Sequence, residues 1–322
     1  MLGNLLKTCA LYLCLLSVVQ AASPDQSYPT LRETKSPELQ RQLEQRLKHL
    51  NLDTAVREHR LAVSLVDVTD PLNPRLAQVN GDDMVYAASL PKIAILLAAC
   101  ERVQEGKLAL DAETRELMNA MIRHSSNTAA TDLIRRVGHG YINDLLSSSK
   151  YRLYDARYNG GLWVGKEYAQ GVAYQRDPLH NLSHGATTFQ VARFYYMLVT
   201  GQLVSPELSK EMKAILGNPG IKHKFVQGLL TDAPDAQIYR KSGTWRDWHA
   251  DSAIVEHAGR SYIAVALAKS QMGGEWLKQI ITQLDGIIMG QPGRTAALSA
   301  GRAGASQTSD ARPQSSSSER LM

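Results

Sequence analysis

Cysteine is nearly absent from this 322-residue sequence, which contains three: Cys9, Cys14 and Cys100. The first two lie in an N-terminal leader, so the rest of the chain has one cysteine and can form no internal disulfide.

A strong excess of charge is also missing, because the leader and the C-terminal segment account for most of the formal net charge of +5. The roughly +2 that remains is too little for a nucleic-acid-binding surface, so we expect no nucleic-acid partner.

A long apolar stretch is lacking as well. Residues 10–19 are apolar and follow a short basic start ending at Lys7, but the run is shorter than the ~18 residues that favour a membrane span. A membrane anchor is the alternative interpretation; small residues at Ala21 and Ala22 favour a cleavage site instead. We predict a signal peptide over residues 1–21, no stable membrane anchor after cleavage, and a periplasmic or secreted monomer.

The remaining chain divides by composition. Hydrophobic residues make up 44% and charged residues 21%, values typical of a globular protein. Residues 22–35 are polar and turn-rich, and we expect a flexible lead-in there. Residues 291–322 are rich in Ser, Ala, Gly and Arg and nearly devoid of large apolar residues, so we expect a disordered tail. Residues 36–290 form one predicted folded domain.

Hydrophobic periodicity within that domain predicts an α/β (α+β) fold. An amphipathic helix capped by Ser36 is followed by strands over residues 61–68 and 75–79. Residues 90–217 are mainly helical, strands return over 236–240, 250–257 and 260–268, and a helix closes the domain over 275–289. This order predicts an antiparallel sheet flanked by terminal helices, with an inserted helical subdomain and a ligand cleft between the parts.

The first segment expected at that cleft contains Ser89 and Lys92. The two residues are three apart at the start of an apolar, and therefore buried, helix, so the amine can reach the hydroxyl. Burial lowers the pKa of a lysine and lets it accept the proton of a serine nucleophile. The alternative is an N-capping serine beside a lysine whose amine extends to solvent.

Two further segments carry hydroxyl, amide and amine groups. Ser125 and Asn127 flank one residue, although Asn127 or Thr128 could simply cap the next helix. Lys241, Ser242, Gly243 and Thr244 follow a predicted strand. A lysine, a hydroxyl and a glycine there could offer a substrate carboxylate a charge, a donor and close backbone approach, and the alternative is a β-turn.

In this order the three segments resemble the motifs of the penicillin-recognising serine hydrolases, in particular those of class A β-lactamases. Ser89 to Lys92 is similar to SxxK, Ser125 to Asn127 to S-x-N, and Lys241 to Gly243 to K-[ST]-G. The resemblance extends over nearly all of residues 36–290. It implies a serine β-lactamase/transpeptidase-like fold for this catalytic domain and a reaction through an acyl-serine intermediate.

The resemblance also implies roles. Ser89 would be the acylated nucleophile, Lys92 its proton acceptor, and Ser125 the group that protonates the leaving nitrogen. Asn127 would bind the substrate amide, and Lys241, with Ser242, Gly243 and Thr244, the substrate carboxylate. The backbone N–H groups of Ser89 and Thr244 would form the oxyanion hole.

The sequence departs from the class A pattern at several points. Ser126 stands where most class A enzymes have aspartate, and the stretch between Lys92 and Ser125 is shorter than usual. The deacylating glutamate is not recognisable in its usual motif. Glu167, with Gln170 nearby, is the best candidate to activate the hydrolytic water, and a solvated surface glutamate is the alternative.

A metal site is a further possibility that the residues raise. Asp177, His180 and His184 are ligand types with a His-x3-His spacing, but Pro178 and Gly185 favour a loop over the helix that would align the imidazoles. We expect neither a metal nor another cofactor.

Three functions are compatible with these observations. We favour a β-lactamase-type hydrolase because the domain is compact and class A-like. A peptidoglycan D,D-carboxypeptidase or endopeptidase would act on stem peptides and be trapped by β-lactams, and a β-lactam-binding sensor would be acylated without turnover. The expected partner is therefore a small β-lactam or a peptidoglycan stem peptide.

Overall fold

Five antiparallel strands form the central sheet. The computed structural model describes residues 27–169 and 171–291, and the strands in this part of the chain are β1 (Leu61–Asp67), β2 (Arg75–Val79), β3 (Val85–Tyr86), β4 (Tyr154–Asp155), β5 (Gly160–Gly161), β6 (Trp163–Val164), β7 (His184–Ala186), β8 (Gln237–Trp245), β9 (Trp248–His257) and β10 (Arg260–Lys269). The sheet has the order β2-β1-β10-β9-β8, so β8 forms one of its edges. Part of the helical insertion packs against this edge.

Helices cover both faces of the sheet. In the described residues they are α1 (Pro37–His49), α2 (Asp53–Arg57), α3 (Lys92–Gln104), α4 (Ala112–Arg123), α5 (Asn127–Val137), α6 (His139–Ser147), α7 (Thr188–Val199), α8 (Pro206–Leu216), α9 (Phe225–Asp232) and α10 (Gly273–Ile288). The terminal helices α1 and α10 pack with α9 on one face, and α3 to α8 form the insertion on the other. The predicted fold class is confirmed.

Two apolar clusters hold these layers together. Under the terminal helices, Leu43 of α1 and Leu277 and Ile281 of α10 are fully buried against the sheet. In the insertion, α3 is buried on all sides from Lys92 to Glu101, as its apolar sequence predicts. Since a buried Leu or Ile contributes about 1.5–3 kcal/mol, these clusters fix the helix that carries Lys92 firmly against the sheet.

Most predicted elements lie within a few residues of their observed bounds. Ser36 caps α1 by accepting a hydrogen bond from the N–H of Leu39 at 3.3 Å. The clearest difference is β8, which we expected to end at Arg240 and which continues to Trp245. The turn lies instead at Arg246 and Asp247, so the Lys241 segment is part of a strand and the β-turn alternative is wrong.

The ordered fold begins before Ser36. Within the expected flexible lead-in, Leu31 is buried in the apolar core, and Arg32 donates two hydrogen bonds to Asp82 at 2.9 and 2.8 Å. One large apolar residue and one ion pair thus fix a segment whose composition alone indicates a linker.

The predicted signal peptide, residues 22–26 and the tail beyond Gln291 lie outside the described residues. Among the helices that are described, none has the length and apolar character to cross a membrane.

Candidate active site

The three predicted segments meet at the edge formed by β8. Ser125 Oγ lies 2.9 Å from Lys241 Nζ and 3.4 Å from Lys92 Nζ. The backbone of Gly243 lies against the turn that bears Ser89, because a Cβ atom built on Gly243 would be 2.8 Å from Ser89 N. Residues separated by about 150 positions in sequence therefore form one cluster.

Ser89 lies in a tight turn just before α3. The carbonyl of Ser89 accepts a hydrogen bond from the N–H of Lys92 at 3.3 Å, and Ala88 has a left-handed backbone with φ of 51°. This backbone conformation is unfavourable for alanine and persists because the surrounding turn holds it. The Ser89 side chain is half-buried and makes no hydrogen bond within residues 27–169 and 171–291, and the helix N-cap is Pro91. Ser89 is therefore not a helix cap.

Lys92 is fully buried, so the alternative of an amine that extends to solvent is wrong. Its Nζ donates to Ser125 O at 2.6 Å and to Asn127 Oδ1 at 2.8 Å, with Ser126 O at 3.3 Å. Burial lowers the pKa of Lys92 to about 7. A large share of this amine is therefore neutral near pH 7 and can accept a proton.

The segment from Ser125 to Asn127 is held by the N-cap of α5. Ser126, rather than Asn127 or Thr128, caps α5, and its Oγ accepts a hydrogen bond from the N–H of Ala129 at 3.2 Å. This arrangement leaves the Asn127 side chain available to Lys92. Ser125 itself has a left-handed backbone with φ of 56°, which turns its hydroxyl toward the two lysines.

Lys241 supplies the second amine. It is only 1% exposed, and its Nζ donates to Ser125 Oγ and, at 2.6 Å, to Ser242 O. Burial, together with the charges of Lys92 and Arg240, holds the pKa of Lys241 well below its usual range. Ser125 Oγ thus connects two lysines whose affinity for protons is weakened.

Gly243 has no room for a side chain. A Cβ atom there would lie 2.3 Å from Ala87 O as well as 2.8 Å from Ser89 N. Because both contacts are with backbone, any larger residue would push β8 away from the turn. The glycine therefore permits β8 to lie close to the turn that bears Ser89, whereas the sequence predicted a close approach to a substrate carboxylate.

Lys224 is a site residue that the sequence analysis missed. It precedes α9, is 4% exposed, and its Nζ donates to Gly243 O and Thr244 Oγ1, both at 2.7 Å. Burial lowers its pKa to about 8. In the sequence it is one lysine before an apolar helix, and nothing in that pattern distinguishes it from a surface residue.

A buried ion pair supports β8 next to Lys241. Arg240 and Asp251 are 2% and 0% exposed at their side chains. Arg240 Nε and Nη2 donate to the two carboxylate oxygens of Asp251, both at 2.7 Å, in the bidentate geometry of a strong charge-assisted contact.

We expect Asp251→Ala to lower the free energy of unfolding by about 3–5 kcal/mol, since it leaves the Arg240 charge buried without its partner. Urea unfolding followed by circular dichroism measures the change. Asp53→Ala, which breaks an exposed pair with Arg57, is the matched control and should leave the midpoint almost unchanged. Equal midpoints for the two variants would contradict the importance of the buried pair.

Glu167 does not reach this cluster. Its carboxylate accepts hydrogen bonds from Arg135 Nε at 2.9 Å and Nη2 at 2.8 Å, and this ion pair lowers the pKa of Glu167. In the described residues it forms no hydrogen bond or ion pair with Ser89, Lys92 or Ser125. The Glu167 side chain is ion-paired and 26% exposed, and Gln170 lies outside the described residues.

Tyr168, the next residue, points inward instead. Its hydroxyl donates to Ala88 O at 3.1 Å, and its ring centre lies 4.6 Å from Lys92 Nζ. The ring also stacks on that of His184, with centroids 4.2 Å apart and planes 1° from parallel. Tyr168 therefore lies against Lys92, on the segment where the deacylating glutamate was expected.

The possible metal ligands have separate partners. Asp177 accepts backbone hydrogen bonds from Leu179, His180 and Leu182, whereas the ring of His180 lies 2.8 Å from Asn159 Oδ1. His184 is 3% exposed against Tyr168, and burial lowers its pKa to about 3. Among the described residues no group of three His, Cys, Asp or Glu side chains is arranged to hold a metal ion.

Comparison with known proteins gives a family match and several matches to solved structures. A family model described as "Beta-lactamase enzyme family" matches residues 42–115 and 112–289. A search of curated proteins finds no match. Among solved structures, PBP-A is 19% identical with a TM-score of 0.60, and the match covers 82% of this chain and 100% of PBP-A.

Two further structures show the same fold. A β-lactamase from Sphaerobacter thermophilus is 19% identical with a TM-score of 0.59, and the match covers 74% of this chain and 96% of that one. A variant of the last common ancestor of Gram-negative class A β-lactamases is 20% identical with a TM-score of 0.59. The match covers 79% of this chain and 99% of that variant. At these identities the likeness establishes the fold alone.

Proposed function

Because the chain belongs to the beta-lactamase enzyme family, we propose that it is an active-site serine hydrolase that opens the amide of a β-lactam through an acyl-Ser89 intermediate. The observation that carries this proposal is the position of Ser125 Oγ between Lys92 Nζ and Lys241 Nζ, beside the turn with Ser89. A hydroxyl between two amines of lowered pKa can pass a proton from one step to the next.

In the acylation step, Ser89 Oγ bonds to the amide carbon of the substrate and gives its proton to neutral Lys92. The tetrahedral oxyanion is stabilised by the backbone N–H groups of Ser89 and Thr244, which the close contact of Gly243 with the turn brings near each other. Ser125 then gives its proton to the leaving nitrogen and takes up the proton that Lys92 received from Ser89, since Lys92 Nζ lies 3.4 Å from Ser125 Oγ. The carbon–nitrogen bond breaks, and the acyl-enzyme forms.

Substrate binding in this proposal uses the groups on β8 and α5. Lys241 and the Ser242–Thr244 backbone receive the substrate carboxylate, and Asn127 donates to the amide of the acyl side. Lys224 Nζ, bonded to Thr244 Oγ1, orients this hydroxyl and adds positive charge close to the carboxylate site. A charge-assisted hydrogen bond of this kind is worth ~1.5–3 kcal/mol.

The placement of Glu167 favours a second candidate, a peptidase of the D,D-carboxypeptidase or endopeptidase type. Of the described carboxylates, none forms a hydrogen bond with Ser89, Lys92 or Ser125. The Tyr168 ring lies beside Lys92. A β-lactamase would need a base near this position to activate the hydrolytic water. For such a peptidase the natural substrate is a peptidoglycan stem peptide, and a β-lactam leaves a persistent adduct on Ser89.

Incubation with benzylpenicillin and, separately, with an N-acyl-D-alanyl-D-alanine peptide distinguishes the candidates. Rapid conversion of many equivalents of penicillin supports the β-lactamase, and release of D-alanine with a stable penicillin adduct supports the peptidase. A stable adduct without D-alanine release indicates a sensor. Absence of both reactions would contradict the proposed function.

We expect Glu167→Gln to leave both the acylation rate and the lifetime of the adduct unchanged, because its carboxylate binds Arg135 and does not face Ser89. Stopped-flow acylation followed by mass spectrometry of the adduct measures both quantities. Arg135→Gln removes the same ion pair from the other side and should behave identically. Accumulation of adduct in Glu167→Gln alone would restore Glu167 as the base that activates water.

We also propose that the reaction takes place outside the cytoplasm, in the periplasm or after secretion, by a monomer. The pattern of residues 1–21 supports export. The single cysteine after the leader, Cys100, is buried, which is consistent with an oxidising compartment in which an exposed thiol would react.

A further inference from the structure

A cavity of about 740 Å³ lies beside the candidate active site. It is bounded by the tip of the β8–β9 hairpin, by β3 and by the segment that follows Glu167. Each of these walls leads directly to the site: Trp245 follows Thr244, Tyr86 precedes Ser89 by three residues, and Lys166 precedes Tyr168 by two. Each of the three walls therefore lies within three residues of a residue of the candidate active site.

Positive charge predominates among the residues that line this cavity. Lys166, Arg176, Arg246 and Lys269 line it, against Asp247 as the acidic lining residue. Within residues 27–169 and 171–291 none of these four cations forms an ion pair with a carboxylate. Lys166 donates only to backbone carbonyls, and Arg176 Nη1 donates to a backbone carbonyl at 2.8 Å. Cations gathered without counterions attract an anionic group.

Aromatic rings form the remaining walls. Tyr86 and Trp248 meet edge to face with centroids 6.3 Å apart, and Trp245 is 56% exposed. Arg246 and Lys269 lie over the rings of Trp245 and Trp248 at 5.7 and 5.0 Å. The cavity thus combines flat apolar faces with positive groups, which suits a ligand that has both a ring or chain to pack and a carboxylate to pair.

The direction of β8 tells which part of a substrate would occupy the cavity. A strand rises ~3.3 Å per residue, so Trp245 lies about 13 Å along β8 from Lys241. Ser89 approaches β8 at Gly243, between the two. A substrate with its carboxylate at Lys241 and its reacting carbonyl at Ser89 extends its acyl side toward Trp245 and the cavity.

We propose that this cavity is a specificity site that selects substrates with an anionic group on the acyl side of the scissile amide. The inference rests on the proposed acylation of Ser89. The cationic groups pair with the side-chain carboxylate, and the tryptophan rings pack on the group that carries it. Because the pairs are partly exposed, the preference depends on ionic strength.

Three penicillins of one scaffold test the charge preference. Benzylpenicillin has an uncharged phenylacetyl side chain, and ampicillin and carbenicillin carry an added amine or carboxylate on the same carbon. We expect the second-order rate of acylation to be highest for carbenicillin, about tenfold or more above that for ampicillin at low salt. Added salt should shrink this ratio. Equal rates, or a ratio that does not respond to salt, would overturn the proposal.

A pair of double variants assigns the preference to the cavity. Arg246→Gln with Lys269→Gln should bring the carbenicillin-to-ampicillin ratio close to one. Arg41→Gln with Lys48→Gln removes the same charge from α1, on the opposite face of the sheet, and should keep the ratio of the unchanged protein. A ratio retained in the cavity variant would overturn the proposal. Absence of both an adduct and hydrolysis with all three penicillins would instead contradict the acylation of Ser89.

Discussion

Ser89→Ala should abolish covalent labelling by a fluorescent penicillin. Ser89 lies at the turn that Gly243 contacts, its hydroxyl forms no hydrogen bond in the described structure, and a lysine of lowered pKa follows one turn later. Alanine removes the only atom that can form the ester, so the loss should be complete. In-gel fluorescence and intact-mass spectrometry measure the labelled fraction.

Ser125→Ala is the matched control for this assignment, because Ser125 also lies next to both lysines. Without its hydroxyl the leaving nitrogen is protonated slowly, so labelling should be delayed and still occur on Ser89. Full labelling of Ser89→Ala with no labelling of Ser125→Ala would make Ser125 the nucleophile. Unfolding midpoints of the two proteins check that both remain folded.

Lys92→Met should lower the acylation rate by about 10²–10⁴, the usual contribution of a positioned general base. Methionine preserves most of the buried volume but cannot accept a proton. In the unchanged protein, the pKa of about 7 means that the neutral amine becomes more abundant as pH rises through 7. Acylation should therefore increase from pH 6 to pH 8 and then level off.

The pH profile separates a catalytic from a merely structural effect of Lys92. In Lys92→Met, the remaining slow acylation should no longer rise through pH 7. Lys210→Met, which replaces a lysine away from this cluster, should retain the original rate and profile. A flat profile in the unchanged protein would contradict Lys92 as the proton acceptor.

Part of the candidate site could be predicted from the sequence because its parts are local. Ser89 and Lys92 lie three residues apart, and the apolar residues that follow predict a buried helix, although the pattern left open an amine that extends to solvent. The strand-to-strand contacts that place Lys241 beside Ser125 are long-range, and only the resemblance of the three motifs in order indicated them.

The errors arose where local signals were ambiguous. Ser126 and Asn127 are both favourable N-cap residues, and a shift of one position decides which side chain is left for Lys92. β8 was expected to end early because Lys241, Ser242 and Gly243 are weak strand formers, and the pairing with β9 overrides this tendency.

Glu167 and Tyr168 illustrate a further limit. In a segment without helical or strand periodicity, sequence does not show which of two neighbouring side chains points inward. The ion pair with Arg135 turns Glu167 outward, and the stack on His184 brings Tyr168 toward Lys92. Both contacts join residues far apart in sequence, as does the contact of Lys224 with Thr244.

Acylation of Ser89 is tested most directly by time-resolved intact-mass spectrometry of the full-length protein with benzylpenicillin, followed by peptide mapping of the adduct. We expect a mass increase equal to one complete penicillin molecule, located on Ser89 and absent from Ser89→Ala. No adduct at any time without penicillin hydrolysis, or an adduct on another residue, would contradict it.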